Sequence, residues 1–187
     1  MTTATKITLI RIFLIPVFLI CMYLSETLGT VMQYVALGVF AIASLTDLID
    51  GQIARCCNQV TDLGKFLDPL ADKVLVISAM VMFCEWGKFP AWAVMIVLAR
   101  EFAVSGLRMI AAGKGHVIAA GWSGKVKTAV TMFGICLMLF LNTSVFEDLL
   151  GVSFLNVFNW VVVAAISLTT IYSGVEYFVQ NRGVFQN

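Results

Sequence analysis

Six long apolar runs, joined by short polar connections, constrain this chain more than any other feature. They cover residues 7–24, 32–55, 68–86, 90–111, 125–143 and 155–179. A helix needs about 20 mostly apolar residues to cross the hydrocarbon core of a bilayer. Backbone groups in lipid must bond within their own segment, and no alternating strand pattern is present, so helices are the spanning element. Composition agrees: 60% of the residues are hydrophobic and 12% are charged, against about 25% charged in soluble domains. The expectation is an all-α integral membrane protein, a bundle of six transmembrane helices forming one domain over residues 1–187. The first run is followed by SETLGT, which lacks a small-x-small cleavage site, and is read as a retained helix.

The charges set an orientation. The connections after the first, third and fifth runs hold Lys88 and the acids Glu26, Glu85, Glu147 and Asp148. The other side holds Lys6, Arg11, Arg55, Lys65, Arg108, Lys114, Lys125, Lys127 and Arg182. Basic residues favour the cytoplasmic side, so both termini are expected there. A net charge of +1 points to no nucleic-acid partner.

Against this apolar background, residues 47–72 read DLIDGQIARCCNQVTDLGKFLDPLAD. Intramembrane acids are costly, about 2.5–3.5 kcal/mol each at a helix centre on insertion scales, and so are candidates for function. Asp47, Asp50 and Ala54 share one helix face, with Gly51 beside them. Gly51 and Ala54 leave a shallow patch of bare backbone, suited to close helix packing or to a flat ligand. Asp68 and Asp72 are spaced i, i+4. Asp68–Pro69 suits a helix start; alternatively the helix begins near Thr61 or Gly64 and contains Pro69. Two antiparallel helices would bring the four carboxylates together at the cytoplasmic boundary.

Four clustered carboxylates repel one another. Arg55, Lys65 and Lys73 match them poorly, and divalent cations serve better. Oxygen ligands without His or Cys favour Mg²⁺ or Mn²⁺. Two ions about 4 Å apart would clamp a pyrophosphate, and Arg55 suits a bidentate phosphate contact. A purely salt-bridged helix pair would leave the small residues unexplained.

The complete pattern, D-x-x-D-G-x-x-A-R-x8-G-x3-D-x3-D, resembles the signature of the CDP-alcohol phosphotransferases at Asp47, Asp50, Gly51, Ala54, Arg55, Gly64, Asp68 and Asp72. KITLIRIFLIPVF, GKFLDPLADK, AREFAVSGLR and GKVKT resemble the bacterial branch that uses a glycerol phosphate acceptor. The resemblance implies transfer of the phosphatidyl group of CDP-diacylglycerol to sn-glycerol 3-phosphate, with CMP leaving. It implies a two-metal centre on Asp47, Asp50, Asp68 and Asp72, and Asp72 as general base. Gly51, Ala54 and Gly64 would admit the cytidine and its phosphates, and Arg55 would hold the donor's phosphate. CDP-diacylglycerol binding would thus involve Asp47, Asp50, Gly51, Ala54, Arg55, Gly64 and Asp68. The resemblance further implies a homodimer among membrane lipids in the bacterial inner membrane, with its active site facing the cytoplasm.

A glycerol phosphate needs a basic pocket beside the acids. Arg100, Arg108, Lys125 and Lys127 are the expected contacts, Arg for bidentate recognition and Lys as point charges. A structural Arg100–Glu101 pair is not expected, because adjacent helical residues do not face each other. Arg11 is expected to face this cavity or lipid headgroups, and Glu176 to brace a base or a partner subunit. Cys56 and Cys57 are read as packing residues, His116 as a loop residue, and Trp86 and Trp92 as an interfacial belt. The rival readings are a sibling enzyme using inositol phosphate, serine or phosphatidylglycerol, an intramembrane prenyltransferase, and a cation transporter. The G-x-x-A-R continuation disfavours the prenyltransferase, and the absence of repeated halves disfavours the transporter.

Overall fold

The computed structural model describes the backbone of residues 3–57, 62–113 and 121–182, and the side chains of residues 10–46, 73–113 and 121–182. Among these residues the order is α1 (Thr3–Leu28), α2 (Thr30–Cys57), α3 (Asp62–Glu85), α4 (Ala91–Gly113), α5 (Trp122–Leu141), α6 (Ser144–Leu150) and α7 (Val152–Gln180), with no strand. Six of these helices match the six apolar runs. The short α6 is additional and occupies the connection that reads as polar and acidic in the sequence. The six long helices have 20 to 29 residues, or about 30–44 Å at 1.5 Å per residue.

The start of α3 at Asp62 decides between the two readings of Asp68–Pro69. Asp68 does not cap the helix, and Pro69 lies inside it. Proline costs about 3 kcal/mol in an isolated helix interior. Here the following turns bury Leu75, Val76, Ala79, Met80, Met82 and Phe83, and that packing offsets the lost backbone bond.

Helix α1 packs on α2 and α3, α2 on α5, α5 on α7, α7 on α4, and α4 on α3. The long helices thus close a ring in the order α1, α2, α5, α7, α4, α3, and α3 also reaches α2 and α5 across it. The interior is apolar, with Phe18, Met22, Phe40, Met80, Phe83, Met138 and Ile166 fully buried. The α5–α7 contact depends on Gly134: a Cβ there would lie 2.9 Å from Val162 Cγ1 and 3.2 Å from Ile166 Cδ1. A single residue, Gly29, turns the chain from α1 into α2 with φ +76°, a conformation that costs glycine little and other residues more.

The outside of the ring is apolar too. Phe13, Val31, Met109, Phe133 and Leu168 are 67–75% exposed. Among the described residues, Ile10–Leu28, Trp122–Leu141 and Val152–Gln180 are long and apolar enough to cross a membrane, and Thr30–Thr46 is a shorter apolar segment. An apolar exterior over such helices is the surface a lipid environment requires.

One end of the ring is tied by buried polar groups. The Asn142 and Asn159 side chains exchange two hydrogen bonds of 2.8 Å. Gln33 Nε2 donates to the carbonyls of Leu139 (3.1 Å) and Asn142 (2.9 Å), so α2 satisfies the open C-terminus of α5. Lys88 Nζ reaches the Asn142 carbonyl at 3.3 Å and Glu147 at 3.2 Å. Half-buried Trp86 donates to Glu26 Oε1 at 2.7 Å, and Trp92 is 51% exposed.

Candidate active site

The other end of the ring carries the acidic motif. Asp47, Asp50, Gly51, Ala54 and Arg55 occupy the final turns of α2, and Gly64, Asp68 and Asp72 the first half of α3. Residues 58–61 alone separate the two helices, so both halves of the motif come to one end of the bundle. The side chains of residues 47–72, Cys56 and Cys57 included, lie outside the described residues, as do Lys114 and His116. The donor set suits a hard divalent cation: four carboxylates, two on each helix, at i, i+3 and i, i+4. Among the described residues no group of three or more His, Cys, Asp or Glu side chains converges.

Directly after Asp72 the described side chains form a charged cluster. Lys127 on α5 sits 2.5 Å from Glu101 Oε1 on α4, Arg100 Nη1 sits 3.3 Å from the same oxygen, and Lys73 Nζ sits 3.6 Å from Oε2. Lys73 also donates to Ser105 Oγ, and Arg100 Nη2 donates to Ser173 Oγ on α7 at 2.6 Å. The expectation that Arg100 and Glu101 do not pair is therefore overturned. The rule of helical spacing compares short side chains on one face. A guanidinium on a long stem bends round to its neighbour's carboxylate when other cations already hold that carboxylate in place. Gly174 makes room for the stem: a Cβ there would lie 3.2 Å from Arg100 Cγ, whereas one on Gly124 would make ordinary contact with Arg100 Nη2 at 3.6 Å.

The predicted acceptor residues divide accordingly. Lys127 is buried and Arg100 largely so, and both are bound to Glu101. Arg108 is exposed, with Nε donating to Tyr177 Oη at 3.2 Å and its guanidinium 5.6 Å from the ring centroid. Lys125 is exposed. Arg11 is fully buried in α1, which removes the headgroup alternative for it. Glu101, absent from the expected site, is the residue on which three cations converge. Its signal in the sequence was a carboxylate in an apolar run at the level of two bases.

A small cavity of about 40 Å³ lies against this cluster, lined by Lys73, Glu101, Lys127, Thr128 and Thr131 together with apolar side chains. It has room for about three waters at roughly 10–15 Å³ each and is too small for a substrate. The Thr131 hydroxyl, one turn from Lys127, is buried there without a hydrogen-bond partner among the described residues. Elsewhere, Glu176 Oε1 accepts from Gln180 Nε2 at 2.9 Å. It faces a shallow groove between α5 and α7 that also includes Trp122 and Tyr172.

The chain matches the model of the CDP-alcohol phosphatidyltransferase family over residues 1–172. It is 41% identical over 185 residues to the CDP-diacylglycerol–glycerol-3-phosphate 3-phosphatidyltransferase of Bacillus subtilis (strain 168), spanning 94% of this chain and 93% of that one. It is 44% identical over 142 residues to the protein of that name from Escherichia coli (strain K12), spanning 72% and 75%. It is 37% identical over 174 residues to a probable phosphatidylglycerophosphate synthase of Mycobacterium tuberculosis (strain ATCC 25618 / H37Rv), spanning 93% and 78%. Members of the matched family transfer phosphatidyl groups and generally depend on a divalent metal, which accords with the carboxylate set on α2 and α3. With an intact eight-position motif, an all-helical ring and a match over nearly its whole length, the chain belongs to the CDP-alcohol phosphatidyltransferase family.

Proposed function

We propose that this protein transfers the phosphatidyl group of CDP-diacylglycerol to sn-glycerol 3-phosphate, giving phosphatidylglycerophosphate and CMP. The observation that carries the reading is the 41% identity, over nearly the full length of both chains, to a relative whose name states that reaction. The acceptor hydroxyl oxygen forms a bond to the phosphatidyl phosphorus, and the bond from that phosphorus to the CMP oxygen breaks. Asp72 takes the hydroxyl proton as the new bond forms, because a carboxylate is too weak a base to remove it beforehand. Asp47, Asp50, Asp68 and Asp72 would hold two divalent ions, Mg²⁺ or Mn²⁺, which would supply Lewis-acid stabilisation of the charge developing on the phosphate oxygens. Arg55 binds the donor's phosphate bidentately, and Gly51, Ala54 and Gly64 admit the cytidine and pyrophosphate close to the backbone.

Arg100, Arg108, Lys125 and Lys127 receive the acceptor's phosphate. The excess of cations over carboxylate in the cluster beside Asp72 supports a phosphorylated acceptor over serine. The basic residues on the α4–α5 side and the apolar exterior support six spans in the bacterial inner membrane. In that arrangement both termini and the active site face the cytoplasm. The family resemblance supports a homodimer, which light scattering in detergent tests by molar mass.

The decisive assay compares acceptors. Purified protein in detergent, given CDP-diacylglycerol and Mg²⁺, is expected to release CMP with sn-glycerol 3-phosphate and not with inositol phosphate, serine or phosphatidylglycerol. Release with another acceptor alone would replace the substrate. No release with any of them would remove the reading.

A further inference from the structure

Glu101 stands at the centre of the charged cluster, and nothing in the reaction as described employs it. Its side chain is 15% exposed, and the three cations around it are 5% (Lys127), 13% (Arg100) and 24% (Lys73) exposed. Each cation comes from a different point of the ring: α5, the inner half of α4, and the α3 residue that follows Asp72. Three positive groups this close repel one another, and charges taken out of water are costly unless paired. A single carboxylate cannot neutralise three cations. It can hold them together, and among the described residues it leaves an excess of two positive charges. A phosphomonoester carries about −1.5 to −2 charges near neutral pH, so the residual charge of the cluster complements it. The unpartnered Thr131 hydroxyl lines the same cavity, one turn beyond Lys127.

We propose that Glu101 is the positioning residue of the acceptor site. It gathers Lys127, Arg100 and Lys73 into one phosphate receptor and ties that receptor to the helix carrying Asp72. This rests on the functional reading above, in which Lys127 and Arg100 meet the acceptor's phosphate. Glu101 does not touch the substrate. It acts through the cations, which separate without it, and the dianion then meets a weaker, less ordered site.

The test measures CMP release against each substrate in turn. Glu101→Gln is expected to raise KM for sn-glycerol 3-phosphate tenfold or more while leaving KM for CDP-diacylglycerol within about twofold. Glu101→Asp, which restores the charge on a shorter stem, should recover most of the loss. Because Glu101 acts partly through Lys127 and partly through Arg100 and Lys73, the pair Glu101→Gln with Lys127→Gln should cost less than the two single losses added together. Equal KM changes for both substrates, no change in Glu101→Gln, additive losses in the pair, or no rescue by Glu101→Asp would each overturn the proposal. If Glu101→Gln elutes as aggregate, Glu101→Asp decides: its KM for sn-glycerol 3-phosphate should rise by more than its KM for CDP-diacylglycerol, and an equal rise would overturn the proposal. Failure of the wild-type protein to use sn-glycerol 3-phosphate would instead overturn the functional reading, so the two failures are distinguishable.

Discussion

Arg108 offers a separation of binding from folding. Its Nε is committed to Tyr177 Oη at 3.2 Å and its guanidinium lies 5.6 Å from the Tyr177 ring centroid, so α7 anchors the group at the base of the fork. An exposed cation–π contact contributes about 0.5–1 kcal/mol, and Arg108→Ala should therefore lower the melting temperature only slightly. A charge-assisted hydrogen bond to phosphate contributes about 1.5–3 kcal/mol. At about 1.4 kcal/mol per decade, Arg108→Ala should raise KM for sn-glycerol 3-phosphate about ten- to a hundredfold. KM for CDP-diacylglycerol should move far less. Tyr177→Phe keeps the ring and removes the hydroxyl anchor, and should raise the acceptor KM only about two- to fivefold, the effect of roughly 0.5–1 kcal/mol. Steady-state CMP release with each substrate varied in turn measures both numbers. Equal increases for both substrates, or a Tyr177→Phe effect as large as that of Arg108→Ala, would refute the assignment of Arg108 to the acceptor's phosphate.

Other predictions concern the frame and its orientation. Asn159→Leu removes the donor to Asn142 Oδ1, while Asn142 Nδ2 keeps the Met138 carbonyl, and should cost about 1–2 kcal/mol in detergent unfolding. Replacing both asparagines with leucine should cost less than the two single losses added together, and strict additivity would deny the pair. Gly134→Ala forces its new methyl onto Val162 and Ile166, and overpacking of this kind costs about 1–3 kcal/mol; an unchanged unfolding midpoint would contradict the close α5–α7 contact. For orientation, in a chain whose own cysteines are replaced, Asp148→Cys should react with an impermeant maleimide in intact cells. Lys114→Cys should react only after permeabilisation, and the reverse pattern would invert the proposed topology.

Much of this architecture was legible from spacing alone. Each apolar run became a helix because a long apolar run without alternation favours the element that pairs its own backbone groups. The eight motif positions reached one end of the bundle because the link between α2 and α3 is only residues 58–61. What was not legible depends on partners distant in sequence. Asn142 and Asn159 meet across the α5–α7 connection, and neither has a local pattern that announces the other. The hub at Glu101 was not legible because helical spacing relates it only to residues of its own helix, Arg100, Ser105 and Arg108. Lys127 and Lys73, which reach the carboxylate at 2.5 and 3.6 Å, come from other helices. The ends of helices were also less legible than their middles. The turns of α3 before Pro69 form in spite of a local signal for a helix start, since packing of the later turns decides where the helix runs.

The central claim is that the aspartate end of this ring carries out phosphatidyl transfer. Its most direct test is incorporation of radiolabelled sn-glycerol 3-phosphate into organic-extractable lipid by purified wild-type protein and by Asp47→Asn, Asp50→Asn, Asp68→Asn and Asp72→Asn. EDTA and added Mg²⁺ serve as the metal controls. The account predicts labelled phosphatidylglycerophosphate from the wild type, lost with EDTA and restored by Mg²⁺, and a loss of at least about a hundredfold (roughly 2.7 kcal/mol) in each folded variant. Incorporation that persists in folded Asp72→Asn, or that ignores EDTA, would contradict it.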